Sequence, residues 1–500
     1  MLFPLNIPQG QHANGTMYQS KGRWRKSLLV RWLDQTLRPM GGWATHSDSA
    51  LTGKARAIIT WLANNGQPWI AVGTHQKLYA VDGAGAVIDI TPAGLFEGYA
   101  DASTAGGYGT YLYSYGNYGD ARPDDGSLTP VTVWSLDTFG EILLACNGSD
   151  GRIWRWGLDT STDAVLMSSN APTGVRAIVV TNEGFVMALG IGTDPRQVAW
   201  SDQFDYDVWT PSATVQAGSY SIQTRGKLMA GCRVTGATII FTDTDVHRAT
   251  YIDARLQYGF ERVGTGCGLV AQRAFVAASD NLVFWMGENG FWFYNGGQVD
   301  VIPCDVRDAV FADFDTTQRS KVTAYYEPAY DEVTWFYPSA SGSGENDCYV
   351  RFNHREGHWA KGEINSTVAR LCATERGGGF SLPLGCDASG NVLLMETGFS
   401  YGGLTPFAET GPIEIGTGEQ LMNVMNIIPD EGTLGDVRRT FYAANHPTDA
   451  ETTHGPFTSA QPTNTRFQAR QIRMKVEFPG GGDDRYGSDR LDLTMAGARR

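Results

Sequence analysis

No stretch of the 500-residue sequence approaches the roughly 18 uninterrupted apolar residues a helix needs to cross a bilayer, so no membrane span is expected. The first ten residues lack a basic start followed by an apolar run, and no secretory signal is read there. Cysteine is scarce, odd in number and free of CxxC pairs: Cys146, Cys232, Cys267, Cys304, Cys348, Cys372 and Cys386. They read as buried thiols made in a reducing compartment rather than as a disulfide framework. Charged residues make up only 18%, and 39 Lys plus Arg against 53 Asp plus Glu leave a net charge of −14. That argues against a surface built to grip nucleic-acid phosphates, though not against DNA as cargo. It suits a wall along which DNA slides, since over a Debye length of about 8 Å such a wall repels phosphate.

The usual signatures of catalysis are also missing. There is no G-x-S-x-G elbow, no GKS/T phosphate loop and no HExxH. His354 and His358, four apart in NHREGHWA, have a spacing that brings ligands together on a helix. Their flanks read as strands and Gly357 marks a turn, so a solvated turn is expected. NGSDG (147–151), DDG (124–126) and DASGN (387–391) offer oxygen ligands, but Asp and Asn capping their own turns account for them without calcium. SDGRIWRW (149–156) distantly resembles the Asp-box turn of sialidases, once and imperfectly. No catalytic, cofactor or metal residue is assigned, and the chain is not expected to be an enzyme.

What the sequence has in plenty is aromatic residues and turns: 14 Trp, 21 Tyr, 22 Phe, 61 Gly and 21 Pro. This is the composition of an all-β chain. The stretch 281–302, NLVFWMGENGFWFYNGGQVDVI, holds three aromatic and β-branched runs separated by Asn289-Gly290 and Asn295-Gly296-Gly297. It predicts a meander joined by tight turns, which cannot stand alone in water. Similar units recur, with corresponding outer strands starting at Leu78, Ile153, Val198, Val246, Phe291, Tyr349 and Val392. The separations are 75, 45, 48, 45, 58 and 43 residues. A propeller blade of four strands occupies about 40–50 residues. Residues 51–402 are therefore read as a β-propeller of six or seven blades, the first or last unit being split to close the ring.

The long gap marks a Tyr/Gly-rich insertion at about 95–130. Its Tyr108, Tyr111, Tyr113, Tyr115 and Tyr118 are candidate subunit contacts, because Tyr covers area at small entropic cost. A hairpin packed on the propeller's own flank is the alternative. Residues 1–50 read as an extended N-terminal arm, basic and aromatic, with Trp24 and Trp32 as further contact candidates; the alternative packs Trp on a neighbouring surface and solvates Arg. Residues 403–500 read as a C-terminal β-sandwich-like domain. In 465–482, Phe467, Ala469, Ile472, Met474 and Val476 alternate with Arg466, Arg470, Arg473 and Lys475.

Several stretches together resemble the hub or nozzle proteins of short-tailed bacteriophages, also called tail tubular or phage stabilisation proteins. They are NGTMYQSKGRW with VRW and GGW near the start, DPRQVAWSDQFDYDVWTP (194–211) and IIFTDTDVHRATY (239–251). GENGFWFYNGGQVDVIP, YDEVTWFYPS (330–339), TGPIEIG (410–416) and HGPFT (454–458) follow in order. The resemblance implies a structural virion protein of the tail, assembled in the host cytoplasm as a homo-oligomeric ring, commonly a hexamer. It implies portal and adaptor proteins above, needle, tip or fibre proteins below, and viral DNA passing without sequence-specific binding. No catalytic residue or cofactor comes with it. A propeller-type carbohydrate-binding or depolymerising tail protein is the alternative; it predicts carboxylates and Trp at one mouth of the propeller.

Overall fold

A computed structural model of the chain describes residues 1–104, 128–364, 368, 370–415, 420–446, 449–460 and 462–497. Seven four-stranded antiparallel sheets follow one another along the sequence. Their first strands are Ala55–Leu62, Trp134–Phe139, Ala177–Val180, Leu228–Val234, Phe275–Ser279, Thr323–Glu327 and Cys372–Thr374. Each of these lies against the first strand of the next sheet, and the last lies against the first, so the sheets close as the blades of a seven-bladed propeller. The fourth strand of blade 7 is Trp43–Thr45, paired with Val392–Met395 from the other end of the ring. The ring is thus locked by residues some 350 positions apart in sequence.

The 281–302 stretch supplies three strands of blade 5, Leu282–Met286, Phe291–Tyr294 and Val299–Ile302, outside the inner strand Phe275–Ser279. Its aromatic residues pack between blades. Phe291 lies 4.9 Å from Trp335 and 4.8 Å from Trp359, both of blade 6. Buried indoles fasten one blade to the last through their N–H, which must find an acceptor once out of water. Trp134 Nε1 donates to Thr74 O (2.7 Å), Trp335 Nε1 to Ala274 O (3.0 Å) and Trp359 Nε1 to Pro303 O (2.8 Å). Gly73 is glycine because the Trp134 ring lies on its backbone; an added Cβ would sit 2.3 Å from that ring.

The C-terminal region forms two facing sheets. One orders Leu2–Pro4, Arg490–Gly497, Leu421–Ile428 and Thr463–Ala469; the other orders Trp24–Leu28, Phe407–Thr410, Gln471–Glu477, Arg438–Ala444 and Thr452–Thr458. Phe467, Ala469, Ile472, Met474 and Val476 all point into the core between them, as their alternation predicts.

The segment read as an N-terminal arm is divided between the two bodies. It gives a strand to each sandwich sheet and one to blade 7, and in between makes a hairpin, Val30–Leu33 with Thr36–Pro39. The physical reason is aromatic burial. Trp24 and Trp32 are each 2% exposed, inside the sandwich core, with ring centroids 6.2 Å apart and Tyr486 6.1 Å from Trp24. They are therefore not on a surface a partner could reach. Truncating a buried Trp costs about 3–5 kcal/mol, more than an arm held only by a subunit contact would forgo in a free chain.

Where propeller meets sandwich, four charges are sealed in. Arg31 of the hairpin bonds Glu396 with both guanidinium nitrogens (3.0 and 2.7 Å) and Glu332 with one (2.9 Å). Arg351 lies 3.5 Å from Glu332, and the Tyr330 ring lies 3.5 Å beneath the Arg31 guanidinium. Burial works against the Arg31 charge, and Glu332 and Glu396 more than offset it. Two cations facing two carboxylates make the cluster neutral, which is what allows it to be dry.

Candidate functional site

A cation stands at or just before the start of the inner strand in six of the seven blades: Arg56, Arg176, Lys227, Arg273, Lys321 and Arg370. Blade order places them around one mouth of the propeller. The sequence signal is a basic residue followed by a short apolar run, as in VRAIVV, GKLMAG and SKVTAY, and it becomes legible only once the inner strands are known.

Their electrostatic treatment differs. Arg56 is clamped by Glu345 through two bonds (3.0 and 2.7 Å), and the buried Lys321 ammonium reaches Asp101 (2.6 Å), Glu345 (3.1 Å) and Gly344 O (2.5 Å). Burial opposes the Glu345 charge, yet Arg56 and Lys321 together hold its carboxyl down to about 2. A carboxylate depressed in the folded state contributes stability above its unfolded pKa and loses it as pH falls through the folded one. The wild-type chain is therefore expected to lose up to roughly 3 kcal/mol between about pH 4.5 and 2 from this group. In Glu345→Gln that step should be missing when unfolding free energy is followed by denaturant titration across this range.

Along the propeller axis the inner strands enclose a cavity of about 240 Å³. Asp137, Arg233, Arg273 and Glu375 line it. Asp137 bonds Arg233 (2.9 Å) and accepts the backbone N–H of Val180 (2.7 Å), while burial pushes its carboxyl and that of Glu375 up. Arg273 donates to Ile58 O (3.3 Å), and burial holds its guanidinium down. A space of about 240 Å³, lined by paired charged side chains, is far too small to pass duplex DNA.

At the mouth lies a groove made of two adjoining hollows that share Asp243 and Glu288. The first, about 310 Å³, is lined by Arg176, Lys227, Gln272, Arg319, Ser149 and Ser320 among others. The second, about 810 Å³, adds Trp292, Asn289, Asn14 and Arg307. Arg319 pairs with Glu288 (2.9 Å), and Asp243 accepts the backbone N–H of Lys227 (2.9 Å). Among the described residues the Arg176 guanidinium donates to the Met229 sulfur (3.8 Å), and neither it nor the Lys227 ammonium forms an ion pair with a carboxylate. Burial lowers the pKa of both and Arg176 lowers that of Lys227 further, while the Asp243 carboxylate opposes the shift in each.

Of the sites singled out from sequence, Tyr108, Tyr111, Tyr113, Tyr115 and Tyr118 lie outside the described residues. His354 contacts Tyr326 Oη (3.3 Å) and lies 5.4 Å from the Phe284 ring, whereas His358 bonds Glu356 (3.0 Å) and lies 6.0 Å, edge-on, from Trp32. The two histidines serve different neighbours. Asp150 of NGSDG is spent on Arg152 and on Trp154 Nε1 (3.0 Å). Asp387 of DASGN accepts the N–H groups of Ser389 (2.9 Å) and Asn391 (2.8 Å), which is turn capping. Among the described residues no three His, Cys, Asp or Glu side chains are grouped to hold a metal. The described cysteines are unpaired, and all but Cys304 are buried.

No protein-family model matches the chain, and no curated protein matches its sequence. Among solved structures it is similar to virginiamycin B lyase from Staphylococcus aureus, at 8% identity and a TM-score of 0.44 over 71% of this chain and 97% of that one. It is also similar to the Cps50 (Swd1) β-propeller domain of Myceliophteria thermophila, at 10% identity and a TM-score of 0.39 over 69% and 98%. A fungal alcohol oxidase with bound copper aligns at 11% identity and a TM-score of 0.40 over 91% and 99%.

Proposed function

We propose that the chain is a structural subunit of a short-tailed phage tail, a hub or nozzle that assembles into a ring beneath portal and adaptor and serves as conduit and gate for the genome. The observation that carries this reading is that several of the stretches resembling that family, far apart between residues 14 and 416, meet in space. Asn14 of NGTMYQSKGRW donates to Cys304 O (2.7 Å), directly after GENGFWFYNGGQVDVIP. Tyr18 and Lys21 of the same stretch bond Glu414 of TGPIEIG. Arg31 of VRW pairs with Glu332 of YDEVTWFYPS. Soft motifs that interlock as one joint between propeller and sandwich support a shared architecture better than each does alone.

Because the propeller axis is plugged, the conduit on this reading runs between subunits, around the axis of the ring. Heterologous contacts that close by rotation generate such rings. The expected result is a closed ring of copies by light scattering and negative-stain imaging, binding to portal or adaptor. A chain that stays monomeric at high concentration and with those partners present would overturn the proposal.

One observation favours a second reading, a carbohydrate-binding tail protein. Trp292 with Asp243 and Glu288 at one mouth is the grouping such a protein needs, since sugar rings stack on indole and hydroxyls donate to carboxylates.

A further inference from the structure

We infer that the groove at the propeller mouth binds an anionic saccharide, a short oligosaccharide carrying carboxylate or sulfate groups. This rests on the second reading above and adds the charge of the ligand. Three features of the groove carry it.

The first is the contrast between equivalent positions. Arg56 and Lys321, at the same rim, are neutralised by Glu345 and Asp101. Arg176 and Lys227, on adjacent blades 3 and 4, share the first hollow with Asp243, which offsets part of their charge but makes an ion pair with neither among the described residues. Two half-buried like charges side by side are costly, and an anion placed between them would be bound by charge-assisted hydrogen bonds. Gln272 donates its side-chain N–H to Arg176 O (3.1 Å), fixing the backbone on which the guanidinium stands.

The second is the aromatic platform. Trp292 is half-buried on the third strand of blade 5, and among the described residues its Nε1–H has no acceptor and its ring no aromatic partner. Unlike the indoles of Trp134, Trp335 and Trp359, which are buried between blades and bonded to a carbonyl, that of Trp292 is partly exposed at the groove. Gly287 leaves room beside the indole: a Cβ there would sit 3.0 Å from Trp292 Nε1.

The third is mixed polarity. The two hollows join at Asp243 and Glu288, and Asn289, Ser149 and Ser320 add neutral donors and acceptors. A bare oxyanion needs only the cations and would be repelled by Asp243. A sugar that carries an acid group uses the cations for its charge, the carboxylates for its hydroxyls and the indole for its apolar face.

The test uses the full-length chain and follows tryptophan fluorescence and calorimetry with four probes: a galacturonate oligosaccharide, a heparin-derived oligosaccharide, a neutral malto-oligosaccharide and inorganic phosphate. One or both acidic oligosaccharides are expected to bind, and which one does so tells carboxylate from sulfate. Arg176→Met with Lys227→Met, and separately Trp292→Ala, should each weaken binding at least about tenfold. The two cations are half-exposed, so circular dichroism and the melting temperature should stay at wild-type values. If the neutral oligosaccharide binds equally well and Trp292→Ala abolishes it, the anionic inference fails while the carbohydrate reading stands. If phosphate alone binds as tightly as the oligosaccharides, or none of the four binds, both fail.

Discussion

Replacing Arg31 by alanine is expected to destabilise the chain by about 3–5 kcal/mol, because it leaves Glu332 and Glu396 buried together with only Arg351 to balance them. The side chains of Arg31 and Glu332 are each 2% exposed and that of Glu396 7%, so water cannot take over the lost bonds. Burial alone would raise the Glu396 carboxyl; Arg31, Arg351 and the Gly41 N–H together hold it below the usual range, and the first of these vanishes in the variant. The fastening of Gly41 at 2.9 Å to the Glu396 carboxylate is then weakened as well, and with it the path of the chain into the closing strand Trp43–Thr45. Urea unfolding followed by tryptophan fluorescence measures the loss. Arg31→Met with Glu396→Gln removes one charge of each sign and should recover part of it. Equal loss in both variants would mean that stacking of the Arg31 guanidinium on Tyr330, absent from both, rather than charge balance, is what matters.

How far the fold was legible follows from where each feature gets its stability. All seven residues taken to mark corresponding strands, from Leu78 to Val392, fall on the third strand of a blade. That periodicity is local: four strands, four turns, one sheet. The third strand stands out because it is flanked on both sides and rich in aromatic and β-branched residues, as in Phe291–Tyr294. The inner strands were less visible. Cys372–Thr374 is three residues long, and Phe275–Ser279 lies outside the 281–302 pattern to which it belongs. The closing strand was not readable at all, since Trp43–Thr45 earns its place only by pairing with Val392–Met395.

The groove was hidden for the same reason. Arg176, Lys227 and Trp292 come from three blades and have no common spacing in sequence; only the ring brings Asp243 and Glu288 between them. By contrast the alternation in 465–482 predicted burial residue by residue, because a strand with one wet face writes its orientation into every second side chain. Trp24 and Trp32 show the converse. A basic, aromatic segment looks the same in sequence whether its indoles wait for a partner or already sit in a core supplied from the far end of the chain, as by Tyr486.

That ambiguity sets up the largest expected effect. A chain lacking residues 1–50 should fail to fold as a whole. It would lose one strand from each sandwich sheet, the fourth strand of blade 7 and Arg31. Removing Trp24 and Trp32 alone forfeits burial of roughly 3–5 kcal/mol apiece, against a total stability of about 5–15 kcal/mol for an ordinary domain. Three strand edges would also be opened, at Val392–Met395, Phe407–Thr410 and Arg490–Gly497, each a template for aggregation. The expected product is insoluble or lacks a cooperative melting transition. If these residues were a detachable arm, the truncated chain would instead melt like the wild type and merely fail to assemble. Supplying residues 1–50 as a separate polypeptide during refolding separates the cases further: strand pairing and the Arg31 cluster should restore the cooperative transition in trans, whereas a free arm would restore only assembly. Since Trp24 and Trp32 are consumed in holding one subunit together, any ring must be built from contacts other than these two indoles.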